Sequence, residues 1–290
     1  MFVDSGEKLV EECERRKLSI AEYTIEEEIL KSEKSYEFVF SRMKKSLEVM
    51  KTSAQYGTNN KVKSMSGLIG GDGFKLNSYS KEENTITGSI MVKVMARAIG
   101  TSEVNASMGK IVAAPTAGSC GILPAVILTV GEKFNKSDDE LTKALFTASG
   151  IGMLIAKNAT LSGAEGGCQA ECGSAAAMAA GAVVEMMGGT PKMALDAAAI
   201  VIKNVLGLVC DPVAGLVEVP CSKRNASGAV NAITTADMVL AGVASIIPFD
   251  DTITAMYRVG KQLPCELRET ALGGLAVTKK GQELKNKIMK

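Results

Sequence analysis

Apolar residues recur at three- and four-residue spacing along most of this chain. One such stripe consists of Tyr36, Val39, Phe40, Met43, Leu47 and Met50. This spacing is typical of amphipathic helices, whereas the period-two alternation of half-buried strands is not sustained anywhere. Ser19 with Glu22, and Ser137 with Glu140, form capping boxes that mark helix starts. The pattern therefore predicts an all-α, multi-helix globular fold without internal repeats.

Glycine, proline and polar residues divide the helical stretches. Thr190 as N-cap and Pro191 as first residue predict the start of one helix. Residues 53–87 are rich in glycine and polar side chains and are interpreted as a loop. Further helices are predicted over residues 87–109 and 169–187, beyond Asn225, and over 250–263. We expect a single domain over residues 1–290, with 1–55 as an N-terminal helical segment packed on it.

Charge and composition exclude several classes of partner. The formal net charge is +1 and aromatic residues are 4%, so neither an electrostatic nor a stacking surface for nucleic acid is expected. The longest uncharged run, 111–131, contains Pro115, Gly118, Gly121 and Pro124 and is interpreted as a buried turn, not a membrane span. The charged N-terminus lacks the apolar core of a secretory signal. We therefore expect a cytoplasmic protein.

Histidine is absent from the sequence. This excludes Ser-His-Asp and Cys-His catalytic arrangements and histidine-ligated metals within this chain alone. The seven cysteines, an odd number without a secretory signal, favour free thiols that serve metal binding or catalysis. Any metal chemistry must then use thiolates or carboxylates.

Four cysteines fall between Ala164 and Asn231, namely Cys168, Cys172, Cys210 and Cys221. Three of them stand beside glycine or proline turns, where unpaired backbone N–H groups of a helix start favour a thiolate. This placement suits a buried metal or iron–sulfur site. The alternative is that each is a small buried apolar residue, as free cysteine often is. The residues alone leave open which of the four act together.

A second candidate site is the loop APTAGSCG at residues 114–121. Thr116 and Ser119 place small hydroxyls in a Gly/Pro turn, where side-chain and backbone donors can face an anion. A plain buried turn is the competing interpretation.

These motifs resemble a known family. The strings APTAGSCGILPA, GAEGGCQAE, LGLVCDPVAGLVEVPC and KRNASGAVNA are similar, in order and spacing, to the iron–sulfur-dependent L-serine dehydratases, and most of all to the alpha subunit of the two-subunit type. The similarity extends from about Ser64 to Gly281, so residues 64–281 are the expected catalytic, cluster-binding region. It implies a lyase of amino-acid degradation and gluconeogenesis that converts L-serine to pyruvate and ammonia.

The resemblance also implies residue roles. Cys168, Cys210 and Cys221 would ligate a 4Fe-4S cluster whose fourth iron lacks a protein ligand and acts as a Lewis acid. Cys172 matches a position that is usually small and apolar in relatives, so we expect it to pack in the core. Thr116, Ser119, Arg224 and Asn225 are the expected substrate-binding residues. Cys13, Cys120 and Cys265 match no ligand position.

The missing histidine predicts an incomplete active site. Abstraction of the serine Cα proton needs a base poised near neutral pH. A desolvated lysine, a thiolate such as Cys120 or a carboxylate are possible substitutes within the chain. Two-subunit dehydratases combine such a chain with a smaller beta chain, and this sequence begins with helices and leaves no room for the equivalent segment. We therefore expect a heterodimer in which the beta subunit contributes to the site.

Two alternatives remain. A related family removes sulfide from L-cysteine with similar cluster motifs, so the substrate could be L-cysteine. In a different class, Cys168, Cys172, Cys210 and Cys221 could form a structural zinc-thiolate site.

Overall fold

The computed structural model describes residues 2–289, and this part of the chain contains thirteen α-helices. They are α1 (Gly6–Arg16), α2 (Ile20–Ser32), α3 (Tyr36–Asn59), α4 (Asp72–Tyr79), α5 (Gly88–Ala106), α6 (Ile122–Lys133), α7 (Asp138–Asn158), α8 (Gly163–Gly166), α9 (Ser174–Met186), α10 (Pro191–Asn204), α11 (Cys221–Leu240), α12 (Phe249–Gln262) and α13 (Lys279–Ile288). A π-helical turn, Gln169–Gly173, leads directly into α9. Residues 2–289 contain isolated β-bridges but no strand, which confirms the all-α prediction.

Helix α9 lies at the centre of the fold and packs against α6, α7, α10 and α11. Its alanines and its glycine are buried, and a Cβ on Gly181 would lie 2.9 Å from the Ala194 carbonyl oxygen of α10. Small side chains let neighbouring helix backbones approach closely, and alanine also has the highest intrinsic helix propensity. The main core extends from α9 to Leu9 and Ile20 in the N-terminal helices, so this segment shares the same hydrophobic core.

The predicted local helix starts are confirmed. Both capping boxes form, with the Ser19 and Ser137 hydroxyls accepting from the backbone N–H groups of Glu22 and Glu140. Thr190 caps α10 in the same way, with Pro191 as its first residue. These contacts satisfy backbone donors that a helix start leaves unpaired.

Three helix starts, that of α2 among them, also receive hydrogen bonds from carboxylates in distant parts of the chain. The Asp250 carboxylate accepts from the backbone N–H groups of Gly6 and Glu7 at 2.7 and 3.0 Å. Glu185 accepts from Ile20 and Ala21 at the start of α2. Glu103 accepts from Asp72 and Gly73 at the start of α4. Burial raises the pKa of Glu185 and of Glu103, and the backbone hydrogen bonds oppose that shift.

Two predicted boundaries are wrong. The segment 53–87 is not a continuous loop, because α3 continues to Asn59 and α4 occupies Asp72–Tyr79. The start of α4 is capped by Glu103 in α5. Because this residue is distant in sequence, no local motif predicts the start of the helix. Helix α11 begins at Cys221 and not beyond Asn225. Cys221 and Asn225 therefore belong to the first turns of a helix.

None of the helices among residues 2–289 combines the length and apolar character needed to cross a bilayer.

Glycines bring α3, α4 and α5 into backbone contact. A Cβ on Gly57 would overlap the Gly100 backbone, and a Cβ on Gly73 would lie 2.6 Å from the Gly100 Cα. Because the obstacles are backbone atoms, a side chain could be accommodated only by separating the helices.

We expect Gly57→Ala to lower the free energy of unfolding by about 1–3 kcal/mol, because overpacking outweighs the helix propensity gained. Denaturant unfolding of the full chain measures this. The control is Lys45→Ala on the exposed face of α3, with an expected change of about 0.5 kcal/mol or less. Equal stability of Gly57→Ala and the wild type would contradict the close helix contact.

Candidate functional site

Cys168 lies at a sharp turn between α8 and the π-helical turn. Gly167 precedes it with a φ of +78°, and a Cβ there would lie 2.8 Å from the Leu208 carbonyl oxygen. The fully buried Gln169 then holds the surroundings in place. Its Nε2 donates to the carbonyl oxygens of Gly166 and Met256, and its Oε1 accepts from the Gly207 N–H. One amide thus fixes Cys168 relative to the loop that follows α10.

Cys168 and Cys172 lie side by side because the π-helical turn places residues four apart on one face. The ligand atoms of Cys168, Glu171 and Cys172 all lie within 4.8 Å of one another. The hydrogen bond from the Cys172 thiol lowers the pKa of Cys168, and the positive charge of Arg224 lowers it further. Burial opposes this shift. Cys172 is buried in the core as expected, but it also contacts Cys168. π-Bulges of this kind occur frequently at functional sites.

Cys210 is held on its backbone by the C-terminal part of the chain. Its N–H donates to the Leu267 carbonyl oxygen at 2.8 Å, and its carbonyl oxygen accepts from the Glu269 N–H at 2.7 Å. Burial raises the pKa of Cys210, and the nearby Cys168 and Glu269 charges add to the shift. Residues 265–269 therefore form a strap along the cysteine-bearing loop.

Arg224 connects the two residues that flank Cys210. Its Nη1 donates to the Val209 carbonyl oxygen at 2.8 Å, and its Nη2 lies 2.8 Å from the Asp211 Oδ1. The second oxygen of Asp211 accepts from the Leu275 N–H. These two contacts occupy at most two of the five guanidinium N–H donors, so donors remain for a further anionic group.

Cys221 opens α11 directly after Pro220. Burial raises the pKa of Cys221 to about 12, and the positive charge of Arg224 opposes that rise. Cys168 acts electrostatically on both Cys210 and Cys221. Cys168, Cys210 and Cys221, the three cysteines that the resemblance selects, therefore lie within electrostatic range of one another.

The loop at residues 114–121 lies against the same group. The hydroxyl oxygens of Thr116 and Ser119 are 3.1 Å apart, and Thr116 donates a short hydrogen bond to the Glu171 carboxylate. Asn225 fixes this loop to α11: its Nδ2 donates to the carbonyl oxygens of Gly118 and Cys221, and its Oδ1 accepts from the Gly121 N–H. Both amide donors are used, so Asn225 positions the loop relative to Cys221.

Glu171 is a site residue that the sequence analysis missed. Burial raises the pKa of its carboxyl group, while the Thr116 hydrogen bond opposes the shift. Gly118 makes room for it, because a Cβ there would overlap the carboxylate. The sequence did hold one indication of this role. Glu171 is three positions after Cys168, and residues i and i+3 lie on the same face of a helix.

The remaining cysteines differ from these. Cys13 is buried in the core, and Cys265 is exposed. Burial raises the pKa of Cys120 to about 12, so this thiol stays protonated near neutral pH and is a poor candidate for a base.

The donor set is consistent with a metal cofactor, because Cys168, Glu171 and Cys172 offer ligand atoms within 4.8 Å of one another. Burial raises the pKa of Cys210 and Cys221, so their thiolate forms need a nearby positive charge. Gly163 leaves space beside Cys210, since a Cβ there would lie 3.3 Å from the Cys210 Sγ. A single tetrahedral zinc ion would need four sulfurs within about 4 Å of one another, given Zn–S bonds of about 2.3 Å. Cys210 and Cys221 do not join the compact group of Cys168, Glu171 and Cys172.

The chain matches a family model and several curated proteins. Residues 15–276 match the model described as "Serine dehydratase alpha chain". The "Probable L-serine dehydratase, alpha chain" of Bacillus subtilis (strain 168) is 49% identical over 97% of this chain and 93% of that protein. The "L-serine dehydratase, alpha chain" of Peptoniphilus asaccharolyticus is 47% identical over 100% and 99%, respectively. The "L-serine dehydratase" of Helicobacter pylori (strain 26695) is 36% identical over 95% of this chain but only 62% of that longer protein.

We expect Arg224→Met to lower the free energy of unfolding by about 3–5 kcal/mol, because Asp211 would keep a buried charge without its partner. Denaturant unfolding measures the loss. The control is Lys223→Met at the neighbouring position, which removes only an exposed ion pair with Asp72 and is expected to cost about 1 kcal/mol or less. Equal effects of the two substitutions would contradict the bridging role of Arg224.

Proposed function

This chain belongs to the serine dehydratase alpha-chain family, and from that membership we propose that it is the cluster-binding chain of an iron–sulfur-dependent L-serine dehydratase, converting L-serine to pyruvate and ammonia. The observation that supports the proposal is that Cys168, Cys210 and Cys221, which come from three separate segments, interact electrostatically with one another, and that Arg224 acts on Cys168 and Cys221. The match over nearly the full length of two alpha chains named as L-serine dehydratases supports the reaction and the substrate.

In this proposal Cys168, Cys210 and Cys221 hold a 4Fe-4S cluster. When bound, such a cluster supplies a Lewis-acidic iron that favours departure of the substrate β-hydroxyl. Arg224 provides positive charge next to the thiolates and, through Val209 and Asp211, fixes the backbone on both sides of Cys210. Burial of all three thiols excludes water from the ligand atoms.

Substrate contacts are assigned to the loop that faces Glu171. Thr116 and Ser119 offer hydroxyl groups to the serine, and Arg224 has donors left for its carboxylate. Asn225 keeps this loop in register with Cys221 through its three hydrogen bonds. Glu171 orients the Thr116 hydroxyl, which donates a hydrogen bond to the Glu171 carboxylate.

A partner subunit is part of the proposal. The sequence contains no histidine, and Cys120 is held protonated by burial, so two simple sources of a base are absent. Leu272, Leu275 and Val277 expose apolar side chains, with 63% of the Leu272 surface accessible. This apolar surface adjoins the site, because the Leu275 N–H binds Asp211 next to Cys210. We propose that a beta chain docks there and contributes the base.

Replacing any one of Cys168, Cys210 and Cys221 by serine is expected to abolish both the brown chromophore and serine turnover. Iron and acid-labile sulfide analysis of the anaerobically purified protein, together with its visible spectrum, measures the first effect. Cys265→Ser is the matched control and is expected to retain both, because Cys265 is exposed and matches no ligand position. Zinc in place of iron and sulfide in the wild type would refute the cluster assignment.

The chain reconstituted alone with iron and sulfide is expected to gain the chromophore but to turn over serine at a small fraction of the rate reached with a beta chain added. Anaerobic pyruvate assays across a titration of beta chain measure this. Leu272→Asp is expected to weaken the activation while leaving the chromophore unchanged, since it places a charge on the apolar surface. Full turnover by the chain alone would place the base within this sequence.

A further inference from the structure

Cys172 is a buried cysteine that the proposed cluster does not use, and it lies beside Cys168, which the cluster does use. The Sγ atoms of Cys168 and Cys172 are within 4.8 Å of each other. Both cysteines are free thiols. Residues four apart in a helix have Cα atoms about 6 Å apart, which lies within the range that a disulfide spans.

The pair also has a route to solvent. An open pocket of about 340 Å³ reaches the Cys172 side of the π-helical turn. Its lining includes Cys172, Ala176, Gly207, Leu208, Arg224 and Gly228. Cys168 does not line this pocket, so a small oxidant entering there meets Cys172 first. The size and openness of the pocket suit a peroxide.

We propose that Cys168 and Cys172 form a reversible disulfide when the cluster is lost and a peroxide is present. Hydrogen peroxide oxidises one sulfur of the pair, which reacts as the thiolate, to the sulfenic acid and releases one water. The sulfur of the other cysteine then attacks the sulfenic sulfur, the S–S bond forms, and the hydroxyl leaves with the remaining thiol proton as a second water. Two electrons pass from the two thiols to the peroxide.

This chemistry has a consequence for the ligand set. In the disulfide, Cys168 is withdrawn from cluster binding but is protected from further oxidation to the sulfinic acid, which thiol reductants do not reverse. Cluster reloading then requires a prior reduction. Formation of the disulfide requires only the two thiols and the peroxide. Only the reloading of the cluster rests on the proposed function.

The test uses the full-length chain, freed of iron with a chelator, treated with stoichiometric hydrogen peroxide and then alkylated. Trypsin cuts after Lys157 and Lys192, and the peptide of residues 158–192 contains Cys168 and Cys172 as its only cysteines. We expect this peptide to lose the mass of two hydrogens and to escape alkylation, with dithiothreitol reversing both changes. Additional cleavage after Glu171 is expected to leave the two halves joined through sulfur.

Cys172→Val is expected to remove the two-hydrogen loss and to let Cys168 proceed to the sulfinic acid. Cys265→Ser, which removes the exposed thiol, is the matched control and is expected to behave as the wild type does. Alkylation of both cysteines after peroxide, or a link from Cys168 to Cys210 or Cys221, would overturn the proposal. The wild-type measurement decides this even if Cys172→Val does not fold.

Reloading with iron and sulfide provides the second readout. We expect the peroxide-treated wild type to regain the chromophore only after dithiothreitol, and treated Cys172→Val not to regain it. Recovery of the treated wild type without reductant would overturn the protective role. If the untreated chain never acquires a chromophore but the disulfide forms, the cluster assignment fails while the thiol pair stands.

Discussion

The bridge that Arg224 makes across Cys210 is the interaction on which the geometry of the site depends. One guanidinium binds the residue before this cysteine and the residue after it, and Asp211 carries the connection onward to the Leu275 backbone. Removing either charge would leave its buried partner unpaired, which is costly in a poorly solvated interior. In the loop between α10 and α11 this side-chain bridge fixes the backbone on both sides of Cys210, whose own N–H and carbonyl groups bind Leu267 and Glu269.

Most of the fold could be predicted from the sequence because its signals are local. The apolar stripe of α3, the capping boxes at Ser19 and Ser137, and the Thr190–Pro191 start each involve residues a few positions apart. The missed helix α4 shows the limit of such signals. Its start is stabilised by Glu103, about thirty positions away, and its packing depends on glycines in two other helices. Contacts between residues so distant in sequence do not produce a periodic pattern that could predict the helix.

The candidate site was predicted unevenly for the same reason. The resemblance selected Cys168, Cys210 and Cys221, which interact electrostatically with one another in the structure. It did not point to Glu171, whose role depends on Thr116 in a loop 55 positions earlier. Asn225 was expected to bind the substrate, and the sequence did not indicate that its amide also binds backbone atoms of the loop and of Cys221. These hydrogen bonds depend on how the loop packs against α11, which residue type alone does not predict.

The hydrogen bonds of Gln169 have a consequence for how folding of the site relates to binding of the proposed cofactor. They close the turn around Cys168 using only protein atoms, and the strap over Cys210 is likewise closed by backbone bonds. In zinc fingers, by contrast, metal binding supplies the folding energy, and the apo chain is unfolded. Here the turn around Cys168 and the strap over Cys210 are closed by hydrogen bonds between protein atoms, which metal binding does not need to supply. Loss of a bound cofactor is therefore not expected to unfold these two segments.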